Sequence, residues 1–372
     1  VKLFFDPYDI WATKQLGQLK QGWRTGSVVS KLVLPVVGVL EALFPVLFRR
    51  LVGVNKNHYP HVEAMLANTS EGQNDGKLLP YFEDTRVKSS GWGLPFEWYS
   101  KNGVYGANTP YVTNTPYIME ALLRLAKQPN LYNEAMEMFY GTWGFLETLK
   151  VMYEDDESLA LSYAPIDEPR MVVNANAYAA FAYALHAVHG KEENREVAKA
   201  KVKRIVRWVI AQQEKNGAWF YYADNDPGNF IDCFHSCFVV KNLLKVSKLL
   251  PELSGLIQPV TDKGWAYIRN ELYDNDSGMC RRFAVRAQRD PFKLDLYDQA
   301  EYLGLLVDYG LLDEASDFAE RVEKKFRKGE HWYCRIDMFG RRWGKDFLRW
   351  GIVPFWYQRR KLVLAIEIDK KS

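Results

Sequence analysis

The chain has 372 residues, 48% hydrophobic and 15% aromatic, and its 49 basic and 46 acidic side chains leave a formal charge of +3. Length and apolar content exclude a disordered chain and leave room for one large domain or two ordinary ones with a buried core. The near balance of charge forms no nucleic-acid-binding stripe, so nucleic acid is not an expected partner.

No cleavable signal is visible at the start, where Val1–Asp6 runs into a polar, helix-like segment. Helices are predicted over Asp9–Leu19 and, with proline kinks, over Val28–Val52. Within the latter, Leu32–Phe48 is apolar but contains Pro35, Glu41 and Pro45 and is shorter than a typical membrane crossing. It reads as a buried or surface-docking helix. The Arg49-Arg50 pair just beyond keeps a peripheral membrane contact open. Residues 1–58 are therefore taken as an N-terminal helical segment, either part of the main fold or membrane-docking, and 59–372 as the catalytic domain.

A helix over Tyr59–Ala67 is followed by a long stretch, Asn68–Asn108, rich in Gly, Asn, Ser and aromatics and including GWGLPFEWYS (Gly91–Ser100). Long ordered loops are often functional, so this one is a candidate cleft wall carrying Trp92, Glu97 and Trp98. From Thr109 the chain becomes periodic. The expected units are helices Thr113–Lys127 and Tyr132–Thr148 with a hairpin at Val151–Ala164; helices Asn176–His189 and Glu193–Glu214 with a hairpin from Gly217; helices Asp232–Leu249 and Val260–Glu271 with a hairpin at Tyr273–Arg286; helices Asp295–Tyr309 and Asp313–Phe326 with a hairpin at Glu330–Arg342; and a closing helix, Phe347–Ile366. First helices recur at roughly 50–65 residues, the spacing of an array of supersecondary units. With a first pair from the N-terminal helices there are about six pairs, which close as an (α/α)6 toroid, complete or incomplete, with short β-hairpins at the mouth of its cavity. Asn176–His189 is small and apolar nearly all round, as an inner helix must be, whereas Glu193–Glu214 is amphipathic, as an outer one should be.

The inner helices would then start around one mouth, where unpaired N–H groups favour an anionic ligand. Polar and aromatic residues stand at those starts: Asn108, Thr113, Asn114 and Thr115; Asn174 and Asn176; Tyr221, Tyr222, Asp232 and His235; Asp295, Tyr297 and Asp298; Arg349 and Trp350. Several of these residue types are also ordinary N-caps. Asp232, three residues before His235, could orient its ring. Arg349 in so apolar a helix requires an anionic partner, from the protein or from a substrate. Cys233-x-His235-x-Cys237 cannot converge on one ion from a single helix, because residue i+2 points away. No metal and no cofactor is expected. The four cysteines form no spaced framework and read as reduced thiols of a cytoplasmic protein.

The segments GWGLPFEWYS, ANTPYVTNTPY (Ala107–Tyr117), GAWFYYADNDPGNFIDCFHSCF (Gly217–Phe238), LDLYDQAEYLGLL (Leu294–Leu306) and FLRWGIVPF (Phe347–Phe355) resemble a family of bacterial α/α-toroid proteins from capsule and O-antigen loci. More distantly, the chain is similar to the toroid domains of glucuronyl C5-epimerases, alginate- and heparin-type lyases and sugar 2-epimerases. The likeness covers most of the chain after about Tyr59. It implies a role on polysaccharide, with an acidic glycan as partner.

Three readings follow. Proton abstraction from C5 of a uronic acid, by a lyase or a C5-epimerase, needs a group that neutralises the carboxylate, a base and an acid; Asn174, Asn176 and Arg349 suit the first role, and His235 and Tyr222 the other two. Trp92, Trp98, Trp350, Asn114, Tyr221, Tyr297 and Asp298 would line the substrate. Glycoside hydrolysis instead needs paired carboxylates, for which Asp232 and Glu97 are preferred. A noncatalytic glycan-binding protein docked to a polysaccharide-assembly complex would draw on Leu32–Phe48 and the basic Arg335–Arg349 stretch.

Overall fold

The structure is a computed structural model that describes residues 3–69, 75–100, 102–286, 290 and 292–371. Three helices, α1 (Lys14–Arg24), α2 (Val28–Leu43) and α3 (Pro45–Leu51), come first. They are followed by α4 (Pro60–Thr69) and α5 (Asp75–Thr85), α6 (Thr115–Leu125) and α7 (Tyr132–Thr148), α8 (Val173–His189) and α9 (Glu192–Ala211), α10 (Cys233–Leu249) and α11 (Ser254–Tyr267), α12 (Leu296–Asp308) and α13 (Leu312–Phe326), and finally α14 (Val353–Asp369). The first member of each pair packs against the next first member, and α14 packs back on α4. Six inner helices thus close a ring, and α5, α7, α9, α11 and α13 clothe it from outside. This is the expected α/α toroid.

Composition explains which helix lies inside. In α8, NANAYAAFAYALHAVH after its first valine, 14 of 17 residues are buried, because alanine lets neighbouring helices approach on several sides at once. Outer α9 buries only the stripe Ala198, Val202, Ile205, Val206, Trp208 and Val209 and leaves its Glu, Lys and Arg residues to solvent.

Two expectations change. The stretch Asn68–Asn108 is no continuous loop: its described part contains α5 and a hairpin of Trp98–Ser100 with Gly103–Tyr105. Pro80 inside α5 had obscured the helical spacing. Nor does a hairpin start at Gly217. Asn229 closes the Ala223–Asn229 loop instead, its side chain accepting from Tyr222 N at 3.1 Å and donating to Tyr222 O at 2.8 Å and Asp224 O at 2.9 Å. Ile231–Asp232 pairs antiparallel with Phe283–Val285 of the next unit, and Tyr222 bridges to Val172 of the preceding one. These excursions stitch successive units together at the end where the inner helices begin.

Candidate active site

The six inner helices start around one cavity of about 420 Å³. Each contributes: His61 from α4, Asn114 and Tyr117 from α6, Asn174 and Tyr178 from α8, Asp232, Phe234, His235 and Phe238 from α10, Tyr297 from α12, and Arg349 with Trp350 from the turn before α14. Trp98 and Tyr99 come from the first hairpin, Tyr8 and Lys20 from the N-terminal segment.

At the start of α10, the Asp232 carboxylate accepts the backbone N–H of His235 at 3.1 Å, an N-cap bond. The same carboxylate lies 2.8 and 2.7 Å from His235 Nδ1. One aspartate thereby caps the helix and fixes the ring. With Nδ1–H donating to the carboxylate, the lone pair of Nε2 is left as a base, and the ring lies on the cavity wall beside Phe234, Tyr221 and Phe230. Cys233 and Cys237 point the other way, into the core, where burial pushes both thiols well above the ordinary range.

The floor is phenolic. Burial raises the pKa of Tyr178, Tyr221 and Tyr297, and that of Tyr163 to about 12, so these hydroxyls keep their protons and act as donors. Beneath them, Lys241 pairs with Glu301 at 2.6 Å and donates to Tyr117 Oη at 3.1 Å, and Tyr117 lies 2.8 Å from Tyr178 Oη. The buried ion pair thus ties the two phenols, Tyr117 and Tyr178, into one hydrogen-bonded chain beneath the cavity.

Arg349 finds its anion within the protein. Asp6, fully buried, accepts from both Nε and Nη2, the latter at 2.9 Å, while the guanidinium still lines the cavity. Trp350 is held by its indole N–H, 3.0 and 2.9 Å from the two oxygens of Asp295. The backbone there leaves helical geometry, with Gly351 at φ 85°, and a Cβ on Gly351 would stand 2.7 Å from Tyr297 N. Only glycine lets this turn press against α12. Asp290 accepts from Arg282 at 3.2 Å and from Arg286 at 2.5 Å. Among the described residues, four cations, Lys20, Arg282, Arg286 and Arg349, line the cavity beside a single carboxylate, Asp232; the other counter-anions stand behind the wall. His61 Nδ1, Tyr111 Oη, Asn114 Nδ2 and Asn174 Oδ1 are buried in that wall without a hydrogen-bond partner among the described residues. Buried polar atoms left in this way at a cavity are the ones a polar ligand would satisfy.

Of the expected site residues, His235, Asp232, Tyr222, Tyr221, Asn174, Asn114, Tyr297, Arg349, Trp350 and Trp98 meet at the cavity. Five expectations are corrected. Asn176 is fully buried and clamps the hairpin of Val151–Glu154 with Leu159–Leu161, accepting from Leu161 N at 2.7 Å and donating to Leu161 O at 3.1 Å. Asp298 is fully buried behind the wall, where it accepts Phe234 N at 3.0 Å and so caps the neighbouring α10. Trp92 lies in the core, its N–H on Phe82 O at 2.9 Å. Glu97 is outside the lining and bonds Tyr99. Asp295 caps α12 and holds Trp350 and Arg335 rather than facing the cavity. In each case the chain itself took the polar group that a ligand was expected to take. Conversely, His61, Tyr111, Tyr163, Tyr178, Arg282 and Arg286 line the cavity without having been singled out. Tyr178 was legible in principle: it lies four residues after Asn174, on the same helix face.

No family model matches the chain, and no curated protein does. Among solved structures, a sugar epimerase from a ruminal bacterium is similar over 83% of this chain and 86% of that one, at 13% identity and a TM-score of 0.57. A D-mannose isomerase is similar over 82% and 84%, at 13% identity and a TM-score of 0.57. The GH76 alpha-mannanase of Bacteroides thetaiotaomicron is similar over 83% and 86%, at 13% identity and a TM-score of 0.54. The fold is thus the toroid on which these proteins are built.

Proposed function

We propose that this protein is a carbohydrate-active enzyme that takes the C5 proton from a uronic-acid unit of a bacterial polysaccharide or oligosaccharide, giving epimerisation or β-elimination. The observation that carries the reading is the lining itself, in which one histidine is set as a base by its aspartate, phenols keep their protons, and no second carboxylate stands among the described residues. A paired-carboxylate hydrolase would need that second group. Two of the similar structures are an epimerase and an isomerase, which rearrange a sugar rather than cut it.

In this scheme the aromatic walls at Trp98, Trp350 and Tyr297 take the sugar faces, Arg349 receives the carboxylate, and Asn174 meets the sugar from the facing wall. Nε2 of His235 removes the C5 proton. Negative charge that develops on the carboxylate is met by Arg349, which stays cationic beside Asp6. Tyr178 or Tyr222 donates a proton to the opposite face of C5, or to the departing O4.

Uronate oligosaccharides in deuterium oxide, followed by NMR, test the reading. Deuterium should enter C5, with new ultraviolet absorbance if elimination follows, and His235→Ala should lower both by about 10²–10⁴. Asp232→Asn retains a competent N-cap but offers Nδ1–H a poorer acceptor, so the rate should fall while the melting temperature holds. New reducing ends without C5 exchange would replace this reading with hydrolysis, and ligand binding with no turnover would replace it with a binding role.

A further inference from the structure

Of the 27 large apolar side chains exposed among the described residues, 13 fall between Trp23 and Leu51. On α2 they form one arc. At 100° per residue, Val28, Val39, Leu32, Leu43, Val36 and Val33 fall within about 140° of each other around the helix axis, with no polar residue between them. The opposite side of α2 turns Ser30 and Glu41 inward, and of its 16 residues only Ser30 and Val37 are buried. For a helix on a protein surface this is inside out.

The orientation is anchored. Arg49 of α3, fully buried, donates to Asp9 at 2.7 Å and Glu41 at 3.3 Å, and its guanidinium lies 4.5 Å from the centre of the Phe347 ring. That anchor also neutralises Glu41, the single acid among residues 14–56, a stretch with seven basic residues. Lys14, Lys31, Arg50 and Lys56 remain at the surface. A second exposed apolar pair, Met338 and Phe339, tips the hairpin whose return strand, Arg342–Lys345, lies against α2. That hairpin too is basic, with Arg341, Arg342 and Lys345.

We propose that α2 and α3 dock this protein on an anionic lipid bilayer, with the apolar arc at the boundary of headgroups and acyl chains and the lysines and arginines on the phosphates. Among the described residues no single helix is long and apolar enough to cross a membrane, and α1 and α2 meet at 119°, which suits lying in the interface. An all-apolar arc rimmed by one sign of charge fits lipid better than a second copy of this chain, whose matching face would bring the same positive rim against it. Lys20 of α1, the helix on which α2 packs, lines the cavity, so docking would bring the mouth towards the membrane.

Flotation of the full chain with phosphatidylcholine vesicles, with and without phosphatidylglycerol, tests this. The protein should float with the anionic vesicles and be released by high salt. Lys31→Glu and Arg50→Glu should each weaken partitioning roughly five-fold or more. Leu32→Asp with Val36→Asp should abolish it, with circular dichroism unchanged. A wild-type chain that stays with the soluble fraction, or that floats equally with neutral vesicles, overturns the proposal. So does a dimer dissolved by the paired Asp substitutions in a chain that binds no vesicle, which would assign the face to a second copy.

Discussion

Helices α8 and α2 are both largely apolar and nearly the same length, yet 14 of 17 residues are buried in one and two of 16 in the other. The difference lies in what surrounds each helix and in where the few polar groups point. In α8, alanines bring neighbouring helices close, and Asn174, Asn176, Tyr178 and His186 each face a polar partner or the cavity. In α2, the valines and leucines of the arc have no neighbouring element over them among the described residues and stay exposed. Its two inward polar residues spend the packing side on α1 and Arg49. Apolarity therefore tells that a helix leaves water, not what it meets instead.

Four measurements break or sharpen that contrast. The largest effect belongs to the cavity that α8 helps to wall: His235→Ala should lower C5 exchange by about 10²–10⁴, read by NMR at saturating substrate. Next, Phe181→Ala, at a position of α8 only 3% exposed, should cost about 3–5 kcal/mol in denaturant unfolding; a loss under 1 kcal/mol would mean that α8 is not the packed wall described.

A third concerns acid. Burial against Phe139 holds His186 neutral, its pKa lowered from 6.5 to about 4, with Nε2 on Thr142 Oγ1 at 2.9 Å. A base whose folded pKa is depressed contributes stability that is complete above its unfolded value and is lost on acidification. The unfolded chain binds the proton first, so between pH 6.5 and pH 4 roughly 3 kcal/mol should be lost. His186→Gln should flatten that part of the stability profile, and an unchanged slope would refute the assignment. The smallest effect is on α2, where Leu32→Ala should leave stability within about 0.5 kcal/mol of wild type. A larger loss would show that the arc is covered within the chain itself.

Much of the toroid was legible from residues alone. Helix-period patterns placed most ends of the paired helices from Thr113 onward to within a few residues, although α11 starts at Ser254 rather than Val260 and α14 at Val353 rather than Phe347, and the Asp232-x-x-His235 spacing named the dyad, because i and i+3 share a face of a helix whatever surrounds it. Helix starts converged because the inner helices from α6 onward each follow a β excursion at the same end. What local pattern could not show was competition for the polar groups. Asn176, Asp295 and Asp298 looked like ligand contacts, but Asn176 and Asp298 were claimed by backbone groups of neighbouring segments and Asp295 by the start of its own helix and by Trp350 and Arg335, because buried polar groups must be satisfied before any ligand is. Arg349 required an anion, and only packing chose Asp6, 343 residues away along the chain. Local periodicity and capping chemistry, which act over three or four residues, determined the helices and the histidine's setting. Long-range contacts alone decided which polar atoms the fold used up and which it left open to the cavity, and likewise which apolar helix was enclosed and which was left facing out.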